Sequence, residues 1–251
     1  MDLGLTDRVY VVTGAARGVG RACAEQLAAE GARLVLGGDD EETLTKVAAE
    51  LGGSDRAIPI SGDLSDAGLE TCLVAAAIAR YGRLDGALVD VPHPARGGAL
   101  DTEDGDWRLG FESAFLGPLR LCRTVARNLS QEGGSIVLLL SSSVREPVEG
   151  SALASAFRPA LAMTAKALAD ELGAGAVRVN TLLPGRVEGG PAPTRDQDDG
   201  PDDEPAPARI PLQRSGEPLE LARPAVFLLS PAAGYVTGTT LTVDGGATRT
   251  L

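Results

Sequence analysis

Eight residues near the amino terminus, TGAARGVG from Thr13 to Gly20, carry the clearest chemical signal in the chain. They follow a short β-branched run and open a helical pattern, a setting that gives three glycines separate tasks. Gly14 permits the turn, Gly18 lets backbone approach a diphosphate, and Gly20 lets helix and strand pack closely. The helix N-terminus then presents free N–H groups to the phosphates, so the expected ligand is a dinucleotide; the alternative is a structural turn. Further along, the single histidine, His93, sits in VDVPHPARGG. Its ordinary pKa suits proton transfer near neutrality, against the plainer reading of a packed or solvated loop residue. In the same loop Arg96 either orients an anionic or phenolic substrate or is a surface cation. A non-redox reaction through His93, Asp90 or Ser141 has little support, since neither a Ser-His-Asp context nor metal-ligand spacing accompanies them.

These groups need a scaffold, and the chain alternates short aliphatic runs with longer helical patterns. The runs are Val9–Val12, Arg33–Leu36, Ala57–Ile60, Leu84–Val89, Ser135–Leu140, Val177–Leu183 and Thr239–Asp244. Such alternation predicts an α/β fold, a doubly wound seven-stranded parallel sheet with helices on both faces. After Gly20 the apolar positions Val19, Ala22, Cys23 and Leu27 share one helical face, and Asp66 is expected to cap a helix running to Arg80. With 251 residues, 43% of them hydrophobic and 3% aromatic, the chain suits one domain over 1–251 with an aliphatic core. Its net charge of −12 disfavours nucleic-acid and anionic-membrane partners. Cys23, Cys72 and Cys122, odd in number and without CxxC spacing, read as buried reduced thiols. The amino terminus has no secretory-leader pattern, and no apolar run approaches the roughly 18 residues of a membrane span. A cytoplasmic location is therefore expected. From Gly189 to Arg209, five prolines and six acidic residues occur without periodicity, which predicts a mobile loop.

Other motifs stand in a definite order after the glycine loop: SGDL at Ser61–Leu64, RVNTLLPG at Arg178–Gly185, and PLQRSGEPLELARPAVFLLSPAAGYVTGTTLTVDGG at Pro211–Gly246. With the spacing of Gly14, Gly18 and Gly20 they resemble the short-chain dehydrogenase/reductase family over essentially the whole chain. The resemblance implies a Rossmann fold of strand order 3-2-1-4-5-6-7 that binds a nicotinamide dinucleotide. Asp63 would meet the adenine amino group beside Leu64, Val19 would adjoin the glycine loop, and Pro184, Gly185 and Val187 would line the nicotinamide. At the end of the second strand, Gly37-Gly38-Asp39-Asp40 lacks the acid that NAD-preferring relatives carry at Gly38 and the arginine that NADP-preferring ones often carry at Asp39. Arg17 can pair with a 2′-phosphate and Gly38 leaves room for it, whereas Asp39 would repel it. The balance favours NADP(H) over NAD(H); otherwise Arg17 is a solvated loop residue. Family members commonly assemble as dimers or tetramers through two long helices and the last strand, so a homo-oligomer is expected. Gly189–Arg209 corresponds to the family's substrate lid, as a gate or as a solvated linker.

By the same resemblance the reaction uses Asn, Ser, Tyr and Lys. Counting back from Arg178-Val179-Asn180 places the Tyr and Lys positions at Ala154 and Arg158, and counting forward from Trp107 to Gly117-Pro118 places Asn at Ala114. Ser141 keeps the serine position, with Ser142 and Ser143 as register alternatives. Val89-Asp90-Val91-Pro92 replaces the family's NNAG, and Gly189 replaces a threonine. A methyl group transfers no proton, and arginine can hydrogen-bond the ribose but stays protonated. None of Tyr10, Tyr81, Tyr235, Lys46 and Lys166 aligns with the missing pair. The implied activity is an atypical oxidoreductase that passes hydride from NADP(H) to a quinone-like or polycyclic aromatic, polyketide-type acceptor, with Ser141, His93 and Arg158 at the reacting end. The alternative is a catalytically silent scaffold that binds nucleotide, partner proteins or other subunits.

Overall fold

Strand runs without polar alternation demand a sheet covered on both faces. The computed structural model, which describes residues 2–188 and 210–249, has one seven-stranded parallel sheet in the order β3-β2-β1-β4-β5-β6-β7. Its strands are β1 Val9–Val12, β2 Arg33–Gly38, β3 Ala57–Ser61, β4 Gly86–Asp90, β5 Gly134–Leu139, β6 Val177–Pro184 and β7 Thr240–Val243. The helices are α1 Gly18–Ala29, α2 Glu41–Glu50, α3 Leu69–Tyr81, α4 Asp104–Phe111, α5 Gly117–Asn128, α6 Ala152–Leu172 and α7 Pro218–Leu229. Alternate residues of β1 point to opposite cores: Tyr10 and Val12 pack with Cys23 and Leu27 of α1 and Val226 of α7, while Val9 and Val11 pack with residues of α3, α5 and α6. The order reverses between β1 and β4, which opens a crevice at the carboxyl ends of the strands. Among the described residues, no helix is long and apolar enough to cross a membrane.

Two local expectations need correction. Asp66 does not cap α3, which begins at Leu69 after Gly68. The Asp63 carboxylate accepts from the Ser65 N–H at 2.7 Å and the Asp63 carbonyl from the Asp66 N–H at 3.0 Å, so a turn occupies this stretch first. Cys72 is exposed, because the buried stripe of α3 runs through Leu69, Leu73, Val74 and Ala77 and leaves Cys72 on the outer face. The segment Gly189–Arg209, with its lid assignment, lies outside the described residues.

The stretch from α4 to α5 is one continuous helical path interrupted by a π-helical turn, Glu112–Leu116. An edge-on contact between Trp107 and Phe157 at 5.7 Å, another between Phe111 and Phe157 at 5.9 Å, and stacking of Phe111 on Phe115 at 5.4 Å tie this path to α6.

Candidate active site

A cleft of about 980 Å³ lies over the strand ends. Gly14 turns with φ +64° and Gly18 with φ +59°, backbone conformations that side chains rarely adopt. A Cβ on Gly18 would meet nothing within 4 Å, so the loop leaves open space where the first turn of α1 presents its N–H groups. Gly20 does not line the cleft; a Cβ there would collide with the Gly14 carbonyl, which is the close packing expected of it. The remaining residues implied for the cofactor, Gly14, Arg17, Gly18, Val19, Asp39, Asp63, Leu64, Pro184, Gly185 and Val187, all line the cleft. This cradle fits a dinucleotide. At the ribose end the Arg17 guanidinium stands 4.0 Å from the Asp39 carboxylate, both side chains largely in solvent. A Cβ on Gly38 would approach Leu44 no closer than 3.6 Å, which leaves space there. At the far end Gly185 must lack a side chain, since its Cβ would come within 2.6 Å of Asp244 Cα.

The reacting end is built by α6, the end of β5 and the loop after β4. Ala154 and Arg158, one turn apart on the buried face of α6, both line the cleft with Ser141. Arg158 is 2% exposed. Its Nη1 donates to Ser141 Oγ at 2.7 Å, its Nη2 to the Val91 carbonyl at 3.5 Å, and its Nε has no partner. Ser141 Oγ also lies 2.6 Å from Ser143 Oγ and accepts from the Ser143 N–H at 3.3 Å. Burial holds the guanidinium down to about 10, with the nearby Asp90 charge acting against that shift.

Asp90 was not foreseen as a cofactor-site residue. Its carboxylate lies over Gly14, where a Cβ would collide with it, and its backbone N–H accepts a 2.8 Å anchor at Thr13 Oγ1. Burial pushes the carboxyl up to about 6, against the opposing pull of Arg158 and Arg17. The sequence signal was the acid that replaces the first residues of the family's NNAG. His93 touches the water of the cleft, yet the surrounding wall, Arg158 and Arg96 push its imidazole down to about 4. It is therefore uncharged at neutral pH rather than poised there. Arg96 lines the same end. Ala114 is fully buried inside the π-helical turn and does not reach the cleft. Neither lysine and none of the three tyrosines lines it: the Tyr10 hydroxyl bonds the Leu229 carbonyl deep in the core, and Lys166 pairs with Asp170 on the surface. Among the described residues, no group of three His, Cys, Asp or Glu is placed to hold a metal.

Residues 14–248 match the family profile described as Enoyl-(Acyl carrier protein) reductase. L-rhamnose 1-dehydrogenase (NAD(P)(+)) of Azotobacter vinelandii is 33% identical over 252 residues, covering 96% of this chain and 97% of that protein. The short-chain dehydrogenase/reductase structure SDR:Glucose/ribitol dehydrogenase from Brucella melitensis superposes with a TM-score of 0.88 at 33% identity over 100% of both chains. L-Sorbose reductase from Gluconobacter frateurii, solved with NADPH and L-sorbose, gives 0.87 at 27% identity over 100% of both. The glycine cradle, the strand order and these full-length likenesses agree: the chain belongs to the short-chain dehydrogenase/reductase family of oxidoreductases.

Proposed function

We propose that the protein is an atypical NADP(H)-dependent reductase that delivers hydride to a quinone-like or polycyclic aromatic acceptor without a tyrosine–lysine proton relay. The observation that carries this reading is one cleft with a dinucleotide cradle at one end and, at the other, the Ala154 methyl beside the Arg158–Ser141 pair. Gly14, Gly18 and the α1 N-terminus hold the diphosphate, Asp63 and Leu64 the adenine side, and Pro184, Gly185 and Val187 the nicotinamide side. Arg17 favours a 2′-phosphate and Asp39 moderates that preference. Arg158 takes the lysine's position toward the nicotinamide ribose and Ser141 faces the acceptor oxygen.

A bound NADPH supplies a hydride and leaves as NADP⁺. The quinone that takes the hydride becomes a hydroquinone monoanion, then gains its remaining proton from water. A positioned acid contributes roughly 10²–10⁴-fold to an ordinary carbonyl reduction, about 3–5 kcal/mol of barrier. A stable reduced anion does not need that contribution. His93, kept neutral, serves as a hydrogen-bond partner in the acceptor pocket rather than as a loaded acid.

Calorimetric titration with NADPH and NADH, followed by NADPH oxidation with a soluble naphthoquinone, tests the reading. Tighter NADPH binding and quinone-dependent oxidation are expected; no heat with either dinucleotide refutes it. A second reading, a silent scaffold acting through subunit contacts, is favoured by one surface: Leu109 of α4 and Met163 of α6 are 69% and 72% exposed, and Ala156 and Ala160 lie open on the same helix as Met163. That face suits a homo-oligomer, dimer or tetramer, in either reading, and light scattering decides its size.

A further inference from the structure

Arg158 is a buried cation without a counter-ion. Among the described residues no carboxylate forms an ion pair with it, and Asp90 acts on it only at longer range. A guanidinium has five N–H donors, yet its acceptors here are a hydroxyl and one carbonyl at the edge of hydrogen-bond distance, both neutral, while Nε has none. A desolvated charge held this way destabilises the fold unless something compensates it. The cleft that Arg158 lines is where compensation can arrive, and the small Ala154 side chain one turn away keeps that end open.

Ser141 adds a second donor. Its oxygen accepts from Arg158 Nη1, so its own proton is available either to Ser143 Oγ, 2.6 Å away, or to a ligand. We infer that Arg158 and Ser141 form an oxyanion site that binds the phenolate or enolate oxygen of an aromatic ligand in preference to the neutral form. The inference rests on the proposed reductase reading only for the aromatic nature of the ligand. In that reaction the site stabilises negative charge on the acceptor oxygen, so electrostatic stabilisation stands where proton donation is missing. The other ionisable groups that face this end are Asp90, His93 and Arg96. Asp90 opposes an anion and His93 is neutral, which leaves Arg158 and Arg96 as the attracting charges.

The test uses the whole protein without dinucleotide, at one fixed pH above the probe's own pKa, so that Asp90 stays in a single charge state. Calorimetry compares 4-nitrophenolate with the neutral 4-nitroanisole. Wild type is expected to bind the phenolate about tenfold or more tighter, a preference carried by one full charge near a desolvated cation. Arg158→Gln should abolish the preference, and Ser141→Ala should reduce it severalfold while leaving the cation in place; thermal midpoints establish that each variant is folded. Equal affinity for the two probes in wild type overturns the inference, and so does a preference that survives Arg158→Gln in a folded protein, which would assign it to Arg96. If Arg158→Gln does not fold, an unchanged preference in Ser141→Ala overturns the paired site. Phenolate preference without NADPH binding removes the reductase reading alone, whereas quinone reduction with equal probe affinities removes this inference alone.

Discussion

Replacing Asp90 by asparagine should make the protein more stable at neutral pH and leave it unchanged in acid. The folded carboxyl is raised from 3.8 to about 6, so between those values the native state holds a proton that the unfolded chain has released. The stabilising contribution of that proton is fully present below 3.8 and is lost as pH rises through about 6. At neutral pH the ionised Asp90 therefore disfavours the fold by at most about 3 kcal/mol, a figure that already includes the attraction of Arg158 and Arg17. Water in the open cleft screens part of this, which leaves about 1–3 kcal/mol. In a chain of this size each kcal/mol moves the melting temperature by about 2–4 °C. Asp90→Asn should thus melt about 2–12 °C higher than wild type at neutral pH, with the gap closing as pH falls through the window. Melting curves by circular dichroism across that range provide the assay. A gap that does not vary with pH, or a wild type that is the more stable protein at neutral pH, refutes the placement of a desolvated carboxylate over Gly14.

Three further substitutions address the cleft. Gly18→Ala forces alanine to φ +59° and puts a methyl group into the open cradle; a loss of about 1 kcal/mol of stability and at least about tenfold weaker NADPH binding by calorimetry are expected, and undiminished affinity contradicts the diphosphate assignment. Gly38→Asp has room beside Leu44 and should shift the ratio of NADPH to NADH affinity about tenfold toward NADH, because the new carboxylate repels a 2′-phosphate and accepts from the ribose hydroxyls. Ala154→Tyr combined with Arg158→Lys should raise reduction of an ordinary ketone by roughly 10²–10⁴-fold. A double variant that folds and binds NADPH but stays inactive would mean that more than the proton relay is altered.

The fold was legible in the sequence wherever side chains advertise it. The apolar strand runs predicted seven strands, and the structure places them within a residue or two. The end of β2 was missed because Gly37 and Gly38 carry no apolar side chain, although they pair with Ile60 and Ser61 of β3. The cofactor cleft was legible through glycines whose spacing only a tight turn and a close approach require. Less was visible at the reacting end, where the partners are distant in sequence. Arg158 meets Ser141 across 17 positions and Val91 across 67, and nothing local to an alanine-rich helix indicates which hydroxyl its arginine faces. The depressed basicity of His93 likewise comes from walls and cations contributed by other segments.

The π-helical turn at Glu112–Leu116 gives the α4–α5 path a phase as well as a shape. A π turn accommodates one residue more than the α-helical path it replaces, and each residue of an α-helix turns the next by about 100°. The extra residue therefore sets which side of α5 meets the sheet, so that Leu121, Cys122 and Val125 face inward while Trp107 and Phe111 keep their contacts with Phe157. Removing any one residue from this turn would regularise the helix and at the same time rotate the inward stripe of α5 toward solvent. In this part of the chain a single-residue deletion is thus more damaging than most substitutions, and length rather than identity is what natural or laboratory variation must keep.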